Sequence, residues 1–273
     1  MNHLRYTRLP HQRGFTLVEL VMVIVIMGVI GAVVAVFMRS PIDAYLDSNR
    51  RAALTDTADT AVRRISRDVR KALPNSVRVP NPQCLEFIPT RTGGRYRSAE
   101  TVAGDNTSLN FAAADTTFNM LGQNSLSPAD QQIRVGDTIA VYNLGIAGAS
   151  AYLGNNTAAV TSVTDGVETT IGIAATLFPL ESGTLRFHVI PVEEQVVAYV
   201  CTGGTLRRTV TTGSFVSACP ATGPVLATNM ESCTFVYNGS DLQRNGLVQI
   251  QLNLSSNNEP VSLYHEVHVN NSP

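Results

Sequence analysis

The sequence predicts an α+β chain. One long N-terminal helix, with a transmembrane half and an amphipathic half, packs on an antiparallel β-sheet, and the β region is enlarged or carries a second subdomain. Three observations predict it. Residues 15–38 are apolar apart from one acid. Residues 41–73 place Leu54, Ala58, Ala61, Val62, Ile65, Val69, Ala72 and Leu73 at spacings of three and four, one face of a helix. From residue 77 onward, short β-branched and aromatic runs alternate with turn residues.

The chain opens with a short leader, 1–14, whose charges are Arg5, Arg8 and Arg13 and which ends in Gly14. Phe15 follows, and Glu19 is the only charge before Arg39. As a helix, residues 15–38 would measure about 36 Å, enough to cross a hydrocarbon core of about 30 Å. A charge inside such a span costs roughly 2.5–3.5 kcal/mol at its centre and less near an end. Glu19 therefore either snorkels to the interface or awaits a positive partner. A secretory signal would put its small-residue cleavage site after the apolar core, whereas here the glycine precedes it. A plain signal anchor explains the apolar run but has no need for Gly-Phe-(three residues)-Glu.

The stretch Gly14-Phe15-Thr16-Leu17-Val18-Glu19-Leu20-Val21 resembles the class III signal of type IV prepilins and type II secretion pseudopilins. The resemblance implies cleavage between Gly14 and Phe15 by a prepilin peptidase/N-methyltransferase, methylation of the new Phe15 amine, and pairing of Glu19 with a neighbouring subunit's amine during assembly. Physics agrees with that last step, because opposite charges attract more strongly in low dielectric and an unpaired buried charge is costly. The implied organisation is a leader (1–14), a transmembrane helix (15–38), an exported amphipathic helix (39–74) and a β-rich head (75–273). The implied location is a single pass of the inner membrane, N-terminus cytoplasmic and head periplasmic, followed by a filament at the cell surface. Leader arginines retained in the cytoplasm give the same orientation. The implied partners are other major and minor pilins and the inner-membrane assembly platform.

Many major pilins carry a proline in mid-membrane. This chain has Gly28 and Gly31 there and Pro41 only beyond, which favours a minor pilin or pseudopilin. The segments Arg67-Asp68-Val69-Arg70-Lys71-Ala72-Leu73-Pro74, Leu85-Glu86-Phe87-Ile88-Pro89-Thr90, Arg186-Phe187-His188-Val189 and His265-Glu266-Val267-His268-Val269 further resemble minor pilins of mannose-sensitive haemagglutinin pili. That likeness implies a low-abundance subunit near the filament tip that helps to start assembly. A type II secretion pseudopilin and a tip adhesin are the alternatives.

In the exported region, strands are expected at 77–79, 85–88, 138–142, 159–163, 169–173, 185–190, 196–200, 205–210, 234–237, 247–254 and 261–269. Gly93-Gly94, Asp165-Gly166, Gly203-Gly204 and Asn238-Gly239 read as turns, residues 104–132 as a long loop with at most one short element, and 145–159 as a loop. Arg63, Arg64, Arg67, Arg70 and Lys71 read as a solvated helix face. Losing the leader takes the formal charge from −1 to −4, without the basic face that nucleic acid requires. Cys84, Cys201, Cys219 and Cys233 all fall in the exported part, where an even count implies disulfides. Cys201–Cys219, with 17 residues between them, is the expected pair, leaving Cys84–Cys233.

No catalytic set, cofactor motif or metal-ligand spacing emerges. His3 and His11 belong to the leader, His265 and His268 fall on opposite faces of a strand, and His188 lacks an acidic neighbour in sequence. Asp165-Gly166 and Asp241 lack the alternating oxygens of a calcium loop. In a strand, Tyr96 would be buried and Arg95 and Arg97 exposed. The expectation is a structural protein rather than an enzyme.

Overall fold

The computed structural model describes residues 14–216, 219–239 and 245–273. The leader up to residue 13, with Arg5, Arg8, Arg13, His3 and His11, lies outside the described residues, as does Asp241. The chain divides into two compact units, Met1–Arg50 and Arg51–Pro273.

Helix α1 runs without interruption over Leu17–Val69. The two helical lengths expected from the sequence are thus one element, with Pro41 inside it. A proline there forgoes one backbone hydrogen bond, and the continuous run on both sides tolerates that loss. The helix stops at Val69, short of Pro74, because the next residues turn toward a strand. Leu73 N donates to Ile88 O at 2.8 Å, Thr90 N donates to Lys71 O at 2.8 Å, and Ala72 bridges Pro89.

In the second unit the strands are β1 (Arg78–Asn81), β2 (Cys84–Phe87), β3 (Thr92–Arg95), β4 (Asp115–Met120), β5 (Thr138–Val141), β6 (Thr157–Asp165), β7 (Thr169–Thr176), β8 (Arg186–Ile190), β9 (Val196–Thr202), β10 (Thr205–Thr211), β11 (Val225–Ala227), β12 (Met230–Asn238), β13 (Asn245–Ser256) and β14 (Glu259–Asn270). They form antiparallel sheets ordered β1-β2-β9-β10-β11, β12-β13-β14 and β3-β8-β5-β6-β7-β4. The predicted α+β plan with an extra β subdomain is what the chain adopts.

The first two sheets cover the apolar stripe of α1. Leu54, Ala58, Ala61, Val62, Ile65 and Val69 share one core with Leu85, Phe87, Tyr199, Phe235, Ile250 and Leu252. The opposite helix face carries ion pairs such as Arg63–Asp59 at 2.6 Å. Tight two-residue turns fix the hairpins. Gly203 and Gly204 (φ +55° and +73°) join β9 to β10, and Asn257 and Asn258 (φ +50° and +66°) join β13 to β14. Positive φ at both central residues is the turn geometry that matches strand twist.

The third sheet is an insertion between β2 and β9, which are hydrogen-bonded neighbours. It closes on itself. Tyr96 bridges Met120, Arg97 N donates to Asn119 O at 3.0 Å, and Leu121 N donates to Arg95 O at 2.9 Å, joining the β3 and β4 edges. The result is a small barrel filled by Tyr96, Phe118, Ile139, Ile171, Phe178 and Phe187. Closure removes the free edges that an isolated sheet would present. Contrary to expectation, Gly93-Gly94 lies within β3 rather than at a turn. A Cβ on Gly94 would meet the Phe187 ring and Met120 Sδ at 2.8 Å, so glycine lets the strand approach the barrel interior. The 104–132 stretch contains β4 and a 3-10 turn at Asn124–Leu126, and β11 has no counterpart among the expected strands.

Buried ion pairs tie the insertion to its entry and exit segments. Arg91, 6% exposed, pairs with the fully buried Asp137 at 3.3 Å and with Glu193. Asp137 also accepts from Arg134 N at 2.9 Å and Val192 N at 3.1 Å. Glu86, fully buried, pairs with Arg78, whose guanidinium lies 3.6 Å over the Tyr152 ring.

The disulfides are Cys84–Cys219 and Cys201–Cys233, with Cα separations of 6.1 and 6.3 Å. This corrects the expected Cys201–Cys219 and Cys84–Cys233 pairing. Cys201 lies on β9 at one side of the core and Cys233 on β12 at the other, so their bond staples two sheets, a proximity that sequence spacing does not carry.

Two outcomes follow. Non-reducing digestion with mass spectrometry should recover a peptide joining Cys84 to Cys219 and another joining Cys201 to Cys233. Asp137→Asn should destabilise the protein by about 1–3 kcal/mol, because it leaves the buried Arg91 with the half-exposed Glu193 as its remaining charge partner and weakens the bonds that Asp137 accepts from Arg134 N and Val192 N; urea unfolding followed by near-ultraviolet circular dichroism of tyrosine measures this.

Candidate functional site

The residues singled out by the sequence motif lie at the start of α1. Gly14, Phe15 and Thr16 are non-helical and exposed, and Leu17 begins the helix. Among the described residues, no backbone N–H donates to the Gly14 carbonyl. The Gly14–Phe15 peptide is thus free of the hydrogen bonding that shields a peptide inside a helix. A Cβ placed on Gly14 meets nothing within 4 Å. Among the described residues, packing therefore gives no reason for a glycine there.

Glu19 sits at the third helical position, and Thr16 occupies the cap. Glu19 N donates to Thr16 Oγ1 at 3.3 Å, while Thr16 Oγ1 and Thr16 N donate to Glu19 Oε2 at 3.4 and 3.5 Å. The first helical bond, Leu20 N to Thr16 O, is 3.1 Å. This reciprocal arrangement is a capping box, and it satisfies helix-start amides that would otherwise be orphaned. To snorkelling and awaiting a partner, the two roles expected for Glu19, the structure adds a third, capping, which the Thr-x-x-Glu spacing signals. The contacts are long for hydrogen bonds, and a carboxylate can accept about four, so Glu19 keeps capacity for a further donor. Its position at a helix N-terminus also complements the positive end of the dipole.

Among the described residues, nothing covers the apolar side chains between Phe15 and Met38. Phe15 is 83% exposed and Met27 70%, and the most apolar 18-residue window of α1 has a mean hydropathy of 3.1 with none of it buried. The helix is long and apolar enough to cross a membrane.

The other candidates are distributed through the second unit. Tyr96 is fully buried in the barrel, its hydroxyl donating to Ser182 O at 3.3 Å, and burial pushes its pKa up to about 12. Arg95 is exposed, and Arg97 is tied to Glu168, whose carboxyl the Arg97 bond holds below its usual range. His265 and His268 lie on opposite faces of β14. His188 lies on β8, where burial, with Arg186 adding to it, lowers its pKa to about 4. The structure does not gather these histidines into one site. Asp165 caps the 3-10 turn through Ser125 N (2.9 Å) and Asn124 N (3.0 Å). Arg208 joins Asp68 of α1 at 2.8 Å to Glu194, and the Tyr199 hydroxyl donates to the same Asp68 oxygen.

Residues 9–35 match the family described as the prokaryotic N-terminal methylation motif. That match supports a pilin or pseudopilin, a class of structural protein processed at its N-terminus and assembled with related subunits. No curated protein and no solved structure matches the chain.

Thr16→Ala should weaken the start of α1 by about 1 kcal/mol, the usual worth of an N-cap side chain. Faster amide hydrogen exchange over residues 17–20 in detergent micelles, with the rest of the helix unchanged, is the expected reading.

Proposed function

We propose that this chain is a minor pilin of a type IV pilus, resembling the MshO-type subunit of mannose-sensitive haemagglutinin pili. Prepilin peptidase cuts between Gly14 and Phe15, the Phe15 amine is methylated, and the subunit enters the filament near its tip to help start assembly. The observation that carries the reading is the methylation motif at residues 9–35, which coincides with an accessible Gly14–Phe15 bond and an uncovered apolar helix.

The chemistry of each step has a residue. Cleavage creates an amine two residues from the helix start, where the dipole disfavours positive charge. Glu19 of a neighbouring subunit offsets this, exchanging weak bonds to Thr16 for a charge-assisted bond in a low-dielectric surround. Residues 20–38 pack first against lipid and then against other pilin helices. Before assembly the subunit crosses the inner membrane once, with its head periplasmic, and it engages the assembly platform there. A type II secretion pseudopilin is the second reading, with which the absence of proline between residues 15 and 38 is equally consistent.

Intact-mass analysis of membrane-extracted protein tests the processing step. The expected mass is that of residues 15–273 with one added methyl group, and a chain that retains its leader refutes it. Glu19→Ala should leave cleavage intact while reducing piliation in cells, scored by electron microscopy.

A further inference from the structure

On the outer face of the barrel, β3 and β8 run side by side with Arg95 opposite Arg186 and Gly93 opposite His188. Like charges directly across a strand pair are destabilising unless something compensates them. Elsewhere around the insertion, arginines have protein acceptors: Arg91 has Asp137 and Glu193, Arg97 has Glu168, and Arg134 has the Ala129 carbonyl. Among the described residues, no carboxylate pairs with Arg95 or Arg186.

The two strands line a groove of about 540 Å³, within the roughly 300–1,000 Å³ typical of small-molecule sites. Arg95, Arg186, His188, Thr92 and Gln131 border it. Among the described residues, none of these five side chains makes a hydrogen bond within the protein, although each is built to make one. The bare backbone of Gly93 and Gly94 completes the floor. A Cβ on Gly93 would come within 2.9 Å of Phe187 O, so that strip stays low. Burial keeps His188 neutral at pH 7, where it offers a hydrogen bond without adding a third positive charge.

We propose that this groove binds a carboxylate- or phosphate-bearing polar ligand of about the size of one sugar unit, with Arg95 and Arg186 clamping the anion. Two guanidinium forks suit the planar oxygens of such a group, and bidentate bonds of this kind are among the strongest that side chains make. Gln131 and neutral His188 are matched to hydroxyls beside the anion. The inference does not depend on processing at Gly14.

The test is calorimetric titration of the full-length protein in detergent micelles, at low ionic strength, with sodium phosphate, sodium glucuronate and glucose. Saturable binding of the anions and none of glucose is expected, and the Arg95→Ala/Arg186→Ala variant should lose about tenfold or more in affinity for both. Tighter binding of glucuronate than of phosphate identifies a sugar acid as the ligand, and the reverse identifies a phosphate group. Both mutated side chains are exposed, so the variant should fold normally by circular dichroism. An Arg63→Ala/Arg67→Ala control removes the same charge from α1 and should leave both affinities intact. The proposal is overturned if the wild type shows no saturable anion binding, if the clamp variant binds as well as the wild type, or if the control loses affinity equally.

Discussion

The burial of one stripe on α1, formed by Leu54, Ala58, Ala61, Val62, Ile65 and Val69, is the interaction on which the second unit depends. A helix segment of this length is marginal alone in water, and its stability comes from the surface that covers its apolar face. Two sheets supply that cover, and their inward residues, among them Leu85, Tyr199, Phe235, Ile250 and Leu252, belong to the same core as the stripe. The small residues Ala58 and Ala61 are fully buried, which allows strands to come close to the helix. Larger side chains there would overpack a core already filled by aromatic rings.

Polar chemistry completes what apolar burial begins. Asp68 faces the sheet from the last turn of α1 and accepts bonds from Tyr199 and Arg208, so the helix is fixed in rotation as well as in position. Arg91 and Asp137 perform the same service where the chain enters the barrel. Buried pairs of this sort contribute little net stability over an apolar replacement but are strongly unfavourable when halved.

Much of this was legible in the sequence. The apolar run, the three-and-four spacing of the stripe and most strands follow from periodicity, and the N-terminal methylation motif follows from six ordered residues. The rest depended on contacts between distant residues. Gly93-Gly94 has the local signature of a turn, and only the Phe187 ring beside it explains why a strand needs glycine there. The Cys201–Cys233 bond reflects two sheets meeting across a core. The continuity of α1 through Pro41 shows that one lost backbone bond is tolerated inside a long helix, which local sequence signals do not reveal. The Thr16 cap is of another kind: the Thr-x-x-Glu spacing that encodes it lies in the sequence, overlapping the Gly-Phe-(three residues)-Glu pattern on the same glutamate. The arginine groove was out of reach of the sequence, since Arg95 and Arg186 become neighbours only through strand pairing.

The placement of the barrel has a consequence for the way in which the molecule forms. Phe87 pairs with Val197 across about 110 intervening residues, and closing so long a loop as random chain is entropically slow to nucleate. The barrel carries the same cost, since β3 pairs with β8 across about 90 residues. The two pairings enclose nearly the same stretch of chain, so forming either one brings the ends of the other close and leaves it a short loop to close. The barrel and the sheet that hosts it are thus entropically coupled: most of the closure cost is met once for both.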